Sequence, residues 1–94
     1  MKDEAFEWDD DKAEDNYVKH GVSFDAARKV FEDPFSLERL DDRTNYGEER
    51  FFAIGRVGGQ ILFVAYTERE ARIRLISARN ATRHEQDDYF QRNA

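Results

Sequence analysis

The stretch "RFFAIGRVGGQILFVAYTER", residues 50–69, decides the fold. Two apolar runs flank Gly58-Gly59, the pair that best supplies the positive backbone angles of a tight β-turn, so the stretch predicts a hairpin. The second run, Ile61–Tyr66, is apolar on both faces and therefore belongs in the middle of a sheet. Downstream, "ARIRLISA" (residues 71–78) alternates: Arg72 and Arg74 point one way, Ile73 and Leu75 the other, which predicts a further strand. "NATRHEQDDYFQRNA" (80–94) then reads as a helix. Asn80 or Thr82 can cap it, Thr82 and Glu85 fit a capping box, and Tyr89 and Phe90 would dock it.

Upstream of the hairpin, "SLERLDD" (36–42) predicts a short, charged edge strand, and "DRTNYGEE" (42–49) a polar loop. "VSFDAARKVFEDP" (22–34) carries an apolar stripe of Phe24, Ala27, Val30 and Phe31, with Ser23 as cap and Pro34 as stop, so it predicts a helix. Before it, "DDDKAEDNYVKHG" (9–21) predicts a helix capped by Asp10 or Asp11 and ended by Gly21. Ala13, Tyr17, Asn16 and His20 are its candidates for the inner face. "FEWD" (6–9) reads as a short strand with Phe6 and Trp8 on one side. The order β-α-α-β-β-β-β-α predicts a single α+β domain over residues 1–94. A helical hairpin precedes a mainly antiparallel four- to five-stranded sheet, and a C-terminal helix follows it.

Composition narrows the chemistry. There are no cysteines, which excludes disulfides and thiolate metal sites. His20 and His84 stand far apart, and Asp9–Asp11 lack the spacing of a calcium loop, so neither a metal nor another cofactor is expected. The glycines lie in a hairpin rather than ahead of a helix, which excludes phosphate-loop and dinucleotide motifs, and no serine sits in a nucleophile elbow. "MKDEAFEWDDDK" has no apolar leader, and no apolar run approaches the roughly 20 residues of a membrane span. A cytoplasmic location without membrane contact is the expectation.

Charge is unevenly divided. The net charge is −6, yet residues 1–49 hold 7 Lys/Arg against 16 Asp/Glu, while residues 50–94 hold 8 basic residues, all arginine, against 5 acidic ones. Guanidinium groups offer a planar fork of donors that matches phosphate. Arg50, Arg69, Arg72, Arg74 and Arg79 begin, end or line the strands, where a sheet face can gather them. With a proton-transfer group such as His20, or Lys19 in its stead, these residue types make a minimal metal-free ribonuclease site. There a 2′-OH attacks its neighbouring phosphate, arginine stabilises the pentavalent charge, and an acid protonates the leaving 5′-oxygen. Plainer roles compete: Lys19 as a solvated helix-end cation, His20 as a partner of the helix dipole, Arg79 as one half of a sheet-to-helix ion pair.

Larger pieces carry a resemblance. "FEWDDDKAEDNYVKHGVSFDAARKVFEDP" (6–34), "GEERFFAIGRV" (47–57) and "IRLISARNATRHEQDDY" (73–89) look like the BrnT family of bacterial type II toxins. The specific parts are Trp8-Asp9-x-x-Lys12, the run Lys19–Phe24, the run Glu49–Gly55 and the run Ile76–Ala81. The resemblance implies a RelE-like ribonuclease fold. It also implies an RNA substrate, a small ribbon-helix-helix antitoxin of the BrnA kind as partner, and contact with operator DNA only through that antitoxin. Lys19, His20, Arg50 and Arg79 occupy matching motif positions and are the candidate catalytic residues. Arg69, Arg72, Arg74 and Arg83 are the candidates for RNA or antitoxin binding. The rival expectation is a catalytically inactive module that only holds its antitoxin or another basic partner, in keeping with the acidic first half.

Overall fold

The computed structural model describes residues 1–42 and 47–93. The predicted loop over 42–49 therefore falls partly outside the described residues. The elements are β1 (Phe6–Glu7), α1 (Asp10–His20), α2 (Phe24–Ala27), a 3-10 helix (Arg28–Glu32), β2 (Leu37–Asp41), β3 (Arg50–Val57), β4 (Gln60–Arg69), β5 (Arg72–Asn80) and α3 (Arg83–Arg92).

The strands form one sheet in the order β1-β5-β4-β3-β2. The hairpin predicted around Gly58 is present: Val57 pairs with Gln60, and Gly58 takes φ 60°, an angle that costs glycine little. β4 lies at the centre, as its two-sided apolar character requires. The β2–β3, β3–β4 and β4–β5 pairs are antiparallel, whereas β1 runs parallel to β5 through Phe6 opposite Ile73 and Glu7 opposite Arg74. The sheet is therefore mixed, with one parallel pair beside the three antiparallel ones. Chain order alone predicts pairing between neighbours, but here β1 closes the far edge of the sheet by a long-range contact.

Sheet alternation gives two cores. One face, with Leu62, Val64, Tyr66 and Leu75, packs against Trp8, Phe24, Ala27 and Val30. The other, with Leu37, Ile54 and Phe63, packs against Ala81, just ahead of α3, and Tyr89 within it. Each fully buried aliphatic or aromatic side chain contributes roughly 1.5–3 kcal/mol. The second predicted helix breaks after Ala27 into the 3-10 helix, which brings Val30 over β3. A Cβ on Gly55 would meet Val30 Cγ1 at 2.8 Å and the Val30 carbonyl at 3.2 Å. Gly55→Ala is accordingly expected to destabilise by about 1–2 kcal/mol. Urea unfolding checks this as a lower midpoint with an unchanged slope.

Three smaller expectations are corrected. The cap of α1 is Asp9, whose side chain accepts from the Lys12 N–H at 3.0 Å. Tyr17 is 57% exposed, while Asn16 is the buried residue of α1. In α3 only Tyr89 docks, and Phe90 stays 47% exposed. Thr82 caps α3 with the complete capping box.

Candidate functional site

The register of β4 with β5 determines which cations share a face. Phe63 lies opposite Arg79, Ala65 opposite Ser77, Thr67 opposite Arg74 and Arg69 opposite Arg72. Between Ala65 and Tyr66 the register slips, and Ile76 is left as the extra residue of a bulge. Strict alternation would send Arg79 to the opposite side from Arg72 and Arg74, because their numbers differ in parity. The bulge restores all three to one face. No glycine or proline in β5 announces it.

α1 borders this face. β1 pairs with β5 only over Ile73 and Arg74, and beyond it the edge of β5 is met by Asn16. The Asn16 side-chain amide donates to the Ala78 carbonyl at 2.8 Å and accepts from the Ala78 N–H at 3.1 Å, standing in for a strand partner. It also donates to the Val22 carbonyl at 3.0 Å. Lys12 and Lys19 sit four residues before and three after Asn16, on the same stripe of the helix.

Two adjoining recesses result. One, of about 170 Å³, is lined by Asp9, Lys12, Glu48, Arg50, Thr67, Arg69, Arg74, Leu75 and Ile76, so that four cations face two carboxylates. The other, of about 230 Å³, is lined by Lys12, Asp15, Asn16, Lys19, His20, Ile76 and Ser77. They share Lys12 and Ile76 and so run into one groove. The buried Thr67 hydroxyl donates to the Glu49 carbonyl at 2.6 Å, which holds the residues before β3 over the end of β4. Glu48 then stands 3.9 Å from Arg50 Nε and 3.5 Å from Arg69. Arg74 meets Glu7, its register neighbour on β1, at 3.4 Å. The Asp9 carboxyl is held below its ordinary value, first by the Lys12 N–H and, against a burial effect, by the charges of Lys12 and Arg74.

The structure thus gathers Arg50, Arg69 and Arg74 in one recess and Lys19 and His20 in the next. Arg79, on the same face, lines neither. Its guanidinium makes two bonds to Glu85, at 2.7 and 2.9 Å, and lies 4.2 Å from the centre of the Phe63 ring. Burial pushes the Glu85 carboxyl up, but Arg79 and the Thr82 N–H outweigh it and hold it below the usual range. Arg72 donates through Nε to the Asp3 carbonyl at 2.7 Å, away from both recesses. Arg83 is exposed at the start of α3.

Sequence reasoning passed over Lys12 as a site residue. Its signal is the seven-residue spacing from Lys19, two helical turns, which sets both lysines on one stripe. Among the described residues, no three His, Cys, Asp or Glu side chains converge in a metal-ligand arrangement, and no helix is long and apolar enough to cross a membrane.

No curated protein sequence matches the chain. A family model described as "Ribonuclease toxin, BrnT, of type II toxin-antitoxin system" matches residues 8–85. That span runs from the Trp8 core residue through α1, strands β2 to β5 and the Arg79–Glu85 pair, and it includes every described residue of both recesses. The chain therefore belongs to the BrnT family of ribonuclease toxins from type II toxin–antitoxin systems.

Proposed function

We propose that this protein is a metal-independent endoribonuclease with a RelE-like fold, and that the groove between α1 and the sheet is its active site. The observation that carries the reading is the pair of joined recesses, with four cations in one and Lys19 and His20 in the other. An RNA backbone supplies the anions such a groove would otherwise lack. Arg50, half-buried in the arginine recess, holds the scissile phosphate and stabilises the charge that grows on its oxygens. His20 transfers the proton between the 2′-OH and the 5′-oxygen, with Lys19 as the alternative donor. Arg69 and Arg74 position the flanking backbone, and Arg79 supports the phosphate from the α3 side. Arg72 and Arg83 lie outside the groove and are contacts for the antitoxin. That antitoxin is a ribbon-helix-helix protein that covers the groove and links the toxin to operator DNA. Cleavage of translated RNA in the cytoplasm would arrest growth.

The test is direct. Purified protein is expected to cleave RNA at the same rate with and without excess EDTA, leaving 2′,3′-cyclic phosphate ends. Activity abolished by EDTA and restored by a divalent cation would reject metal independence. RNA left intact under both conditions would reject the nuclease. The second reading, a module that holds its antitoxin without catalysis, is favoured by one observation: Arg50, Arg69, Arg74 and Arg79 each face a carboxylate of the same chain. Induction of the protein alone separates the two readings, since only the nuclease arrests growth with decay of RNA.

A further inference from the structure

We infer that Lys12 is the central anchor for the RNA backbone, the residue through which one strand passes from the arginine recess to the His20 recess. The inference rests on the ribonuclease reading and assigns the path of the substrate within it. Lys12 lines both recesses, a position shared among the described residues only with the apolar Ile76. It is also without a close ion pair among the described residues. Arg50 and Arg69 stand by Glu48, Arg74 by Glu7 and Arg79 by Glu85. Lys12, by contrast, forms no ion pair within 4 Å among the described residues, and its side chain is exposed. A phosphate bound to the arginines must compete with carboxylates within 4 Å, whereas one bound to Lys12 breaks no such close ion pair.

Geometry adds direction. Lys12 and Lys19 lie seven residues apart on α1, about 10.5 Å along its axis at 1.5 Å per residue. Between them Asn16 pins the helix to Ala78, so the spacing of the two ammonium groups from the sheet is set by hydrogen bonds on both backbone atoms of that residue. Lysine suits this place. A compact ammonium on a flexible stem can follow a phosphate along the groove, while the arginine forks fix its neighbour. Lys12 is thus a binding and positioning residue rather than a proton donor.

The experiment measures binding of the full-length protein to a short fluorescent 2′-O-methyl RNA, which has no free 2′-OH to attack and is not cleaved. The parent is compared with Lys12→Gln, Lys12→Arg and Lys29→Gln; Lys29 is an exposed cation on the 3-10 helix that lines neither recess. Lys12→Gln is expected to weaken binding about five- to tenfold at low salt and to flatten the log–log salt dependence by about 0.7, the contribution of one single-strand phosphate contact. Lys12→Arg and Lys29→Gln should bind within about twofold of the parent. All three should melt as the parent does, since none breaks an ion pair.

A Lys12→Gln protein that binds like the parent overturns the inference, as does equal weakening by Lys29→Gln, which would mark a diffuse charge effect. Normal binding with lost cleavage of ordinary RNA also overturns it, because Lys12 would then act on a proton. A parent that binds the probe yet never cleaves RNA defeats the nuclease reading alone, and the Lys12 comparison still decides the path. A parent that does not bind the probe overturns this inference outright.

Discussion

Asn16→Ala is expected to lower stability by about 3 kcal/mol. The Asn16 side chain is buried and satisfies three backbone groups: the Val22 carbonyl, the Ala78 carbonyl and the Ala78 N–H. Alanine leaves all three without a partner in an apolar setting, and each stranded group costs about 1–3 kcal/mol, partly recovered if water enters. For a domain of this size 1 kcal/mol moves the midpoint by about 4–8 °C, so melting should fall by roughly 12–24 °C. Asn16→Asp tests the mechanism. A carboxylate still accepts from the Ala78 N–H but offers no donor to the two carbonyls, so it should be no better than alanine at neutral pH and should improve as acid protonates it. Thermal melts of the three proteins at pH 7 and pH 4 measure both effects. A loss under 1 kcal/mol for Asn16→Ala would mean that α1 is held by Ala13 and the loop contacts instead.

Arg79→Ala should cost about 2 kcal/mol and reduce RNA cleavage at least tenfold at a temperature where it remains folded. The stability loss follows from a half-buried, two-bond ion pair and a guanidinium packed on Phe63, each weaker than in a fully buried site. Glu85→Gln separates the roles. It removes the charge that restrains Arg79 but keeps the guanidinium, so it should lose about 1 kcal/mol while cleaving RNA at least as fast as the parent. Because the folded Glu85 carboxyl titrates below its ordinary value of 4.5, its share of stability is present above that value and fades as pH falls through the lower folded one. Denaturant midpoints and single-turnover cleavage rates measure the two effects separately. Should Arg79→Ala cleave at the parental rate while folded, Arg79 is a strut between sheet and helix and leaves the site.

What was legible in the sequence follows from local chemistry. The Gly58 turn, the two-sided apolar β4, the Ser23 cap and the Thr82–Glu85 capping box all write their signal within a few residues. The parallel β1–β5 pair does not, because its partners lie far apart in the chain and Phe6–Glu7 is too short to show a period. Helical spacing put Asn16 among the inner-face candidates of α1, but the bonds it makes there depend on the edge of β5, far along the chain. At the site, the six arginine and lysine positions other than Arg83 were placed by residue type, but the Ile76 bulge hid which of them share a face. The plain alternative for Arg79, a sheet-to-helix ion pair, is what the structure contains. Emphasis on arginine drew attention from Lys12, whose lack of a close ion pair shows only when the partners of the others are in place.

The bond between Asn16 and Ala78 spans 62 residues, and both recesses need Ile76 from the same late strand. A chain made from its N-terminus has α1 in hand early but nothing to dock it on until β5 has left the ribosome. Contacts of such long sequence separation form last. The groove is consequently assembled only after β5 has emerged, and a nascent chain that has not yet exposed that strand has neither recess in finished form.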